Sequence, residues 1–129
     1  MFEKIVVGVS KADSAQKAAR YGIEVATKLG AELHLVTAFA GTDPNPSGEE
    51  RRHAEGFLES MALASPLSIH THALPGDPAG AILRVADEIG ADLIVVGNKG
   101  MRGAGRILGS VPNDIAHKAS CSVLIVNST

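Results

Sequence analysis

The stretch ADLIVVGNKGMRGAGRILGSVP, Ala91 to Pro112, runs from a β-branched apolar segment through a glycine-rich one into a helix start. DLIVV (Asp92 to Val96) is short and almost wholly apolar, the pattern of a strand buried on both faces of a parallel sheet. Five glycines follow, at Gly97, Gly100, Gly103, Gly105 and Gly109, more than a simple turn needs. Ser110 to Ala119 then reads as a short helix with Pro112 in its first turn, where a missing N–H costs little.

The same alternation extends outward in both directions. SVLIV (Ser122 to Val126) closes the chain as a last strand, and KIVVGV (Lys4 to Val9) opens it as a central one. Ala15, Ala18, Ala19, Gly22, Val25, Ala26 and Leu29 recur at helical spacing, with Asp13 or Ser14 as cap and Gly30 as terminator. Glu32 to Ala40 reads as the second strand, GTDPNPSG (Gly41 to Gly48) as a loop, and Ala54, Phe57, Leu58 and Met61 as the apolar face of a second helix. LSIHTHAL (Leu67 to Leu74) alternates apolar and polar residues, which places it at a sheet edge with one face poorly covered. Asp77 and Pro78 cap a third helix whose apolar face is Ile82, Leu83, Ala86 and Ile89, and Gly90 ends it. Strands alternating with helices imply right-handed parallel crossovers, so the expected fold is α/β: a doubly wound five-stranded parallel sheet, strand order 3-2-1-4-5, helices on both faces. Ligands in such sheets bind where the order reverses, here between strands one and four, at loops beginning with Val9 and Gly97.

Composition narrows the function. A chain of 129 residues fits one domain, 1–129, and 45% hydrophobic residues suffice for a core. Twelve Lys plus Arg against fourteen Asp plus Glu gives a formal charge of −2, with no basic excess to hold a nucleic acid backbone. One Tyr, three Phe and no Trp leave no stacking platform for single strands. MFEKIVVGVS carries Glu3 and an apolar run too short for a signal peptide or a membrane span, so a soluble cytoplasmic protein is expected. Cys121 has no second cysteine to pair with and is expected to be buried and structural.

Glycine lets backbone amides approach an anion closely, and the N–H groups of the helix that follows attract phosphate. Ser110 can cap that helix or donate to a phosphate oxygen, and Lys99, Arg102 and Arg106 add positive charge. Two common phosphate motifs do not fit. Gly100 to Gly105 has Walker-like spacing, but Arg106 and Ile107 stand where Lys and Ser or Thr belong. Gly103, Gly105 and Gly109 have dinucleotide-like spacing but follow the fourth strand instead of the first. A surface loop without a ligand remains the plain alternative. The loop holds no nucleophile with base and orienting acid and no carboxylate pair, so no catalytic residue is assigned. His70 and His72 share a strand face and, with His34 on the neighbouring strand, could form a metal site. Edge-strand histidines are more often solvated, and no carboxylate or cysteine is expected nearby in sequence to complete the set, so the metal assignment is none. His53 and His117 fall on helix surfaces, and ERRH (Glu49 to His53) reads as a solvated helix start.

Gly97, Gly100, Gly109 and Ser110 resemble the G-x-x-G, nine residues, G-S or G-T motif of the nucleotide-binding universal stress proteins. VVGVS near the start, GDPAGAIL (Gly76 to Leu83), ADLIVVGNKG, GSVP (Gly109 to Pro112) and VLIV extend the resemblance over the whole chain. It implies an adenine nucleotide alpha hydrolase-like fold that binds ATP, with Mg2+ accompanying it, or AMP or cyclic AMP. Carried over, Val9, Ser10 and Val36 would flank adenine and ribose, with Val96 and Gly97 continuing the wall. Gly100, Gly109, Ser110 and Val111 would hold the phosphates through backbone amides and the Ser110 hydroxyl. Two departures stand out. Only eight residues separate Gly100 from Gly109, and Ser10 occupies the place where nucleotide-binding relatives carry an aspartate. Asp13 lies three residues later, at the expected helix cap. Losing an acceptor for the ribose hydroxyls costs about 1–3 kcal/mol, roughly tenfold to a hundredfold in affinity. The resemblance also implies a homodimer, because pairing Val123 to Val126 with a two-fold mate would cover an apolar edge strand. Two rival readings are a dimeric interaction module that has lost nucleotide binding, and a weak ATPase.

Overall fold

In a computed structural model, the structure describes residues 1–10, 13–40, 48–63, 65, 68–98 and 108–127. Among the described residues nine elements alternate: β1 (Lys4–Gly8), α1 (Asp13–Leu29), β2 (Glu32–Phe39), α2 (Glu49–Leu63), β3 (Ile69–Pro75), α3 (Pro78–Ile89), β4 (Leu93–Asn98), α4 (Ser110–Lys118) and β5 (Ser122–Asn127). The strands form one sheet in the order β3-β2-β1-β4-β5, every pairing parallel. The expected fold and strand order are therefore the observed ones.

Period-two alternation divides the buried strand residues between two cores. Ile5, Val7, Leu33, Leu35, Leu93 and Val95 pack with Ala18, Ala19 and Ala26 of α1 and Leu58 of α2 on one face. Val6, Val36, Ile94 and Val96 pack with Ala79, Ile82, Val85 and Ala86 of α3 and Ile115 of α4 on the other. Ile5, Val6, Val7, Ile94 and Val95 are wholly buried, as near-continuous apolar runs in a doubly covered sheet require. Each such side chain contributes about 1.5–3 kcal/mol. The small residues of α1 bring the helix axis close to the sheet, and at Gly22 an added Cβ would overlap the Val7 side chain.

Helix ends follow the capping signals. The Asp77 carboxylate accepts from the Gly80 N–H at 2.9 Å, with Pro78 in the first turn. Gly90 ends α3 in the left-handed region (φ 68°), donating to Ala86 O while Ala91 N–H reaches the same carbonyl at 2.9 Å. α1 begins at Asp13; the expected capping side chain of Asp13 or Ser14 and the expected loop over residues 41–47 lie outside the described residues, as does Leu67.

Two strands differ from the sequence reading. β3 is shifted to Ile69–Pro75 because Pro75 still pairs with Phe39. β4 runs on through Gly97 and Asn98, which pair with Val126 and Asn127 of β5, so these two residues are strand residues where the sequence suggested a loop. Cys121 is only partly buried, against the α3 and α4 core, and burial raises its thiol pKa. His53 and His117 are exposed, as expected.

Asp92 ties β4 to the start of β1. Its carboxylate accepts from the backbone N–H of Glu3 at 2.8 Å and of Lys4 at 3.1 Å. These bonds, the one from Glu3 foremost, hold its pKa below the ordinary carboxylate range. A depressed folded-state pKa gives stability that is present above the unfolded-state pKa and lost as pH falls through the folded one. Asp92→Ala is therefore expected to lower stability at pH 7, by no more than about 1 kcal/mol at this solvent-facing position. The gap from wild type should close on acidification below about pH 4; urea midpoints at the two pH values would check this.

Candidate functional site

The cavity arises from how the strands part. Pairing between β1 and β4 runs from Ile5↔Leu93 to Val7↔Val95 and goes no further. Beyond it β1 follows β2, with Gly8 paired to Val36 and the Val9 N–H donating to Val36 O at 2.8 Å. β4 follows β5 instead, through Asn98↔Asn127. The two central strands thus diverge at their carboxyl ends and open a cavity of about 360 Å³.

Gly8, Val9 and Ser10 after β1, Ala15 of α1, and Val36 and Ala38 of β2 form one side. Pro78 and Ile82 of α3 form the base, and Val96, Gly97 and Asn98 of β4 with Gly109, Ser110, Val111 and Pro112 of α4 complete the wall. Eight residues expected from the sequence, Val9, Ser10, Val36, Val96, Gly97, Gly109, Ser110 and Val111, thus line one cavity. Gly100, Lys99, Gly103, Gly105, Arg102 and Arg106 lie outside the described residues.

Among the described residues none of the lining side chains is charged. The walls are mostly apolar, suited to an aromatic ring or a sugar face. At one end the first turn of α4 points in, with Ser110 exposed at its start and Val111 partly buried. The first N–H groups of a helix have no intrahelical acceptor and carry the positive end of its dipole. Pro112 has no N–H, and the Asn113 N–H bonds Gly109 O at 2.9 Å, which leaves Ser110 and Val111 as the donors available to an anion.

Asn98 was not anticipated. It is 3% exposed, and its Oδ1 accepts the Gly109 N–H at 2.7 Å. That amide, expected to face a phosphate, is engaged by Asn98, which fixes the start of α4 against the end of β4. The available signal was a polar residue directly after a buried apolar run.

A second polar cluster lies toward the amino ends of β2 and β3. His34 is 5% exposed; its Nε2 lies 2.7 Å from Glu32 Oε2 and its Nδ1 2.8 Å from His72 Nε2. Its ring stacks with His70 (centroids 4.6 Å apart) and His72 (5.1 Å). The hydrogen bond from His34 holds the Glu32 carboxyl below its ordinary range, and burial holds His72 below its own. The carboxylate missing from the sequence reading is Glu32, two residues before His34 on the same strand face.

Fold and site together define a class: a doubly wound α/β protein with an apolar cavity at the switch point and a helix N-terminus at one end. The family model of the universal stress protein family matches residues 1–127, and the chain belongs to that family. A universal stress protein of Methanocaldococcus jannaschii is 34% identical over 140 residues, covering 98% of this chain and 82% of the relative. Among solved structures, a universal stress protein in complex with cAMP is 28% identical with a TM-score of 0.80, covering 99% of each chain. The Archaeoglobus fulgidus universal stress protein in complex with dAMP is 26% identical with a TM-score of 0.73, covering 97% of this chain and 98% of that one.

Proposed function

We propose that this chain binds an adenine nucleotide, ATP or else AMP or cyclic AMP, in the cavity between β1 and β4, and serves as a cytoplasmic stress-signalling protein. The observation that carries the reading is the pairing of an apolar cleft, Val9, Val36 and Val96, with the α4 donors Ser110 and Val111 at one end. The solved relatives holding cAMP and dAMP support the same ligand class. Adenine and ribose would lie along the valines and Ser10, and the phosphates against the Ser110 hydroxyl and the two amides. No carboxylate lines the cavity among the described residues, so Mg2+ accompanying ATP would be held by the phosphates and water.

Ser10 favours a second reading, a family member that no longer holds nucleotide and works as an interaction module. Calorimetric titration of the purified protein with ATP, AMP and cyclic AMP separates the two. Micromolar binding of any of them supports the nucleotide reading, and heat-silent titrations with all three would leave the module.

Either form is proposed to be a homodimer through β5. This strand lies at the sheet edge, and Leu124 is 39% exposed on it. Antiparallel pairing of Val123 to Val126 with a two-fold mate would satisfy the edge and cover that leucine. Size-exclusion light scattering at micromolar concentration is expected to give twice the chain mass, and Leu124→Glu to give the monomer; a wild-type monomer would refute the dimer.

A further inference from the structure

We propose that Glu32, His34 and His70 form a binding site for a zinc-type divalent cation at the open edge of the sheet, apart from the nucleotide cavity. In the parallel register His34 lies opposite His70, and Glu32 precedes His34 by two residues, so all three project from one face. Further along β2 the same face is apolar: Val36 is packed in the α3 core and Ala38 against it. The change from packing to ligating residues therefore falls where α3 gives way to solvent, and Glu32 and His70 are both exposed.

One donor atom from each residue, a carboxylate oxygen and two imidazole nitrogens, lies within 4.8 Å of the others. Both rings present Nε2 to the one carboxylate, at 2.7 Å from His34 to Oε2 and 3.9 Å from His70 to Oε1, and the two rings are nearly parallel, 16° apart. Two imidazoles and a carboxylate, with water as the fourth ligand, are a donor set that zinc takes at distances near 2.0–2.2 Å. A cation replacing the proton shared by His34 Nε2 and Glu32 Oε2 keeps both atoms as ligands. His34 Nδ1–H is then left to donate to His72 Nε2, 2.8 Å away, the outer hydrogen bond that fixes a ligating imidazole in orientation and tautomer. His34 is buried and stacked on both His70 and His72, so this ligand is set in place before the cation arrives. Hard cations such as Mg2+ prefer all-oxygen sites and are not expected here.

The test is calorimetric titration of the untagged, metal-free chain with ZnCl2, alongside His70→Ala, Glu32→Gln and the distant surface variant His53→Ala. One zinc per chain is expected, with affinity lowered at least about tenfold in His70→Ala and in Glu32→Gln and unchanged in His53→Ala. His70 and Glu32 are exposed, so both variants should keep the wild-type circular dichroism spectrum. Absence of zinc binding by the wild-type chain, or affinity unchanged in both ligand variants, would overturn the site.

Discussion

Gly109→Val should abolish nucleotide binding while leaving the protein folded. At φ −62° and ψ 164° the backbone of Gly109 suits any residue, so the need for glycine there is one of space. An added Cβ would lie 3.1 Å from Asn98 Oδ1 and 3.6 Å from the Pro112 ring. The two methyls of valine extend beyond that point, so they would force the Asn98 acceptor off the Gly109 N–H and push the first turn of α4 outward. Ser110 and Val111, the two donors aimed into the cavity, move with that turn. A charge-assisted contact set displaced by an ångström loses most of its worth, and a drop of a hundredfold or more, about 2.7 kcal/mol, is expected. Gly109→Ala, which needs a shift of only a few tenths of an ångström, should fall between. Titration of the three proteins with the nucleotide that binds wild type best would check the series. Equal affinity in Gly109→Val would place the ligand elsewhere. Zinc binding at Glu32 and His70 should be the same in all three, because that cluster shares no residue with the α4 turn.

The largest loss of stability is expected from Gly22→Val. Gly22 lies inside α1, where alanine would normally stabilise a helix by about 1 kcal/mol over glycine. Here a Cβ would overlap Val7 Cγ2. Val7 cannot yield easily: it is wholly buried on the central strand, paired with both Leu35 and Val95. Its branched side chain also has few rotamers to offer. Valine at position 22 adds two methyls to that overlap, and a loss of roughly 3 kcal/mol or more is expected. Gly22→Ala should lose less, its helix propensity offsetting part of the strain. Urea unfolding midpoints of the two variants against wild type would measure this; a more stable Gly22→Ala would show that α1 shifts away from the sheet at little cost.

The strands were legible where they are central. IVVG (Ile5 to Gly8) and LIVV are buried on both sides, so local composition and tertiary environment agree, and the strand order followed from βαβ handedness. Gly30 and Gly90 could be read as terminators because both take the left-handed conformation that glycine adopts without penalty. The cavity was legible for a similar reason: topology and glycine content point to the same junction. What escaped depends on pairing across the sheet. Gly97 and Asn98 read as loop residues until β5 supplies Val126 and Asn127 as partners. Glu32 read as a strand start, and its role beside His34, His70 and His72 becomes visible only once the parallel register sets β3 against β2.

The divergence of β1 from β4 beyond Val7 and Val95 also bears on how such a chain can change over generations. The ladder that holds the centre of the sheet ends before the cavity begins, so Ser10 and Ser110 are exposed at the rim and contribute little to the two cores. Substitutions there can reshape the cavity's rim at small cost to folding. One scaffold can therefore give rise to sensors of different small molecules, and to descendants that sense none, without passing through unfolded intermediates.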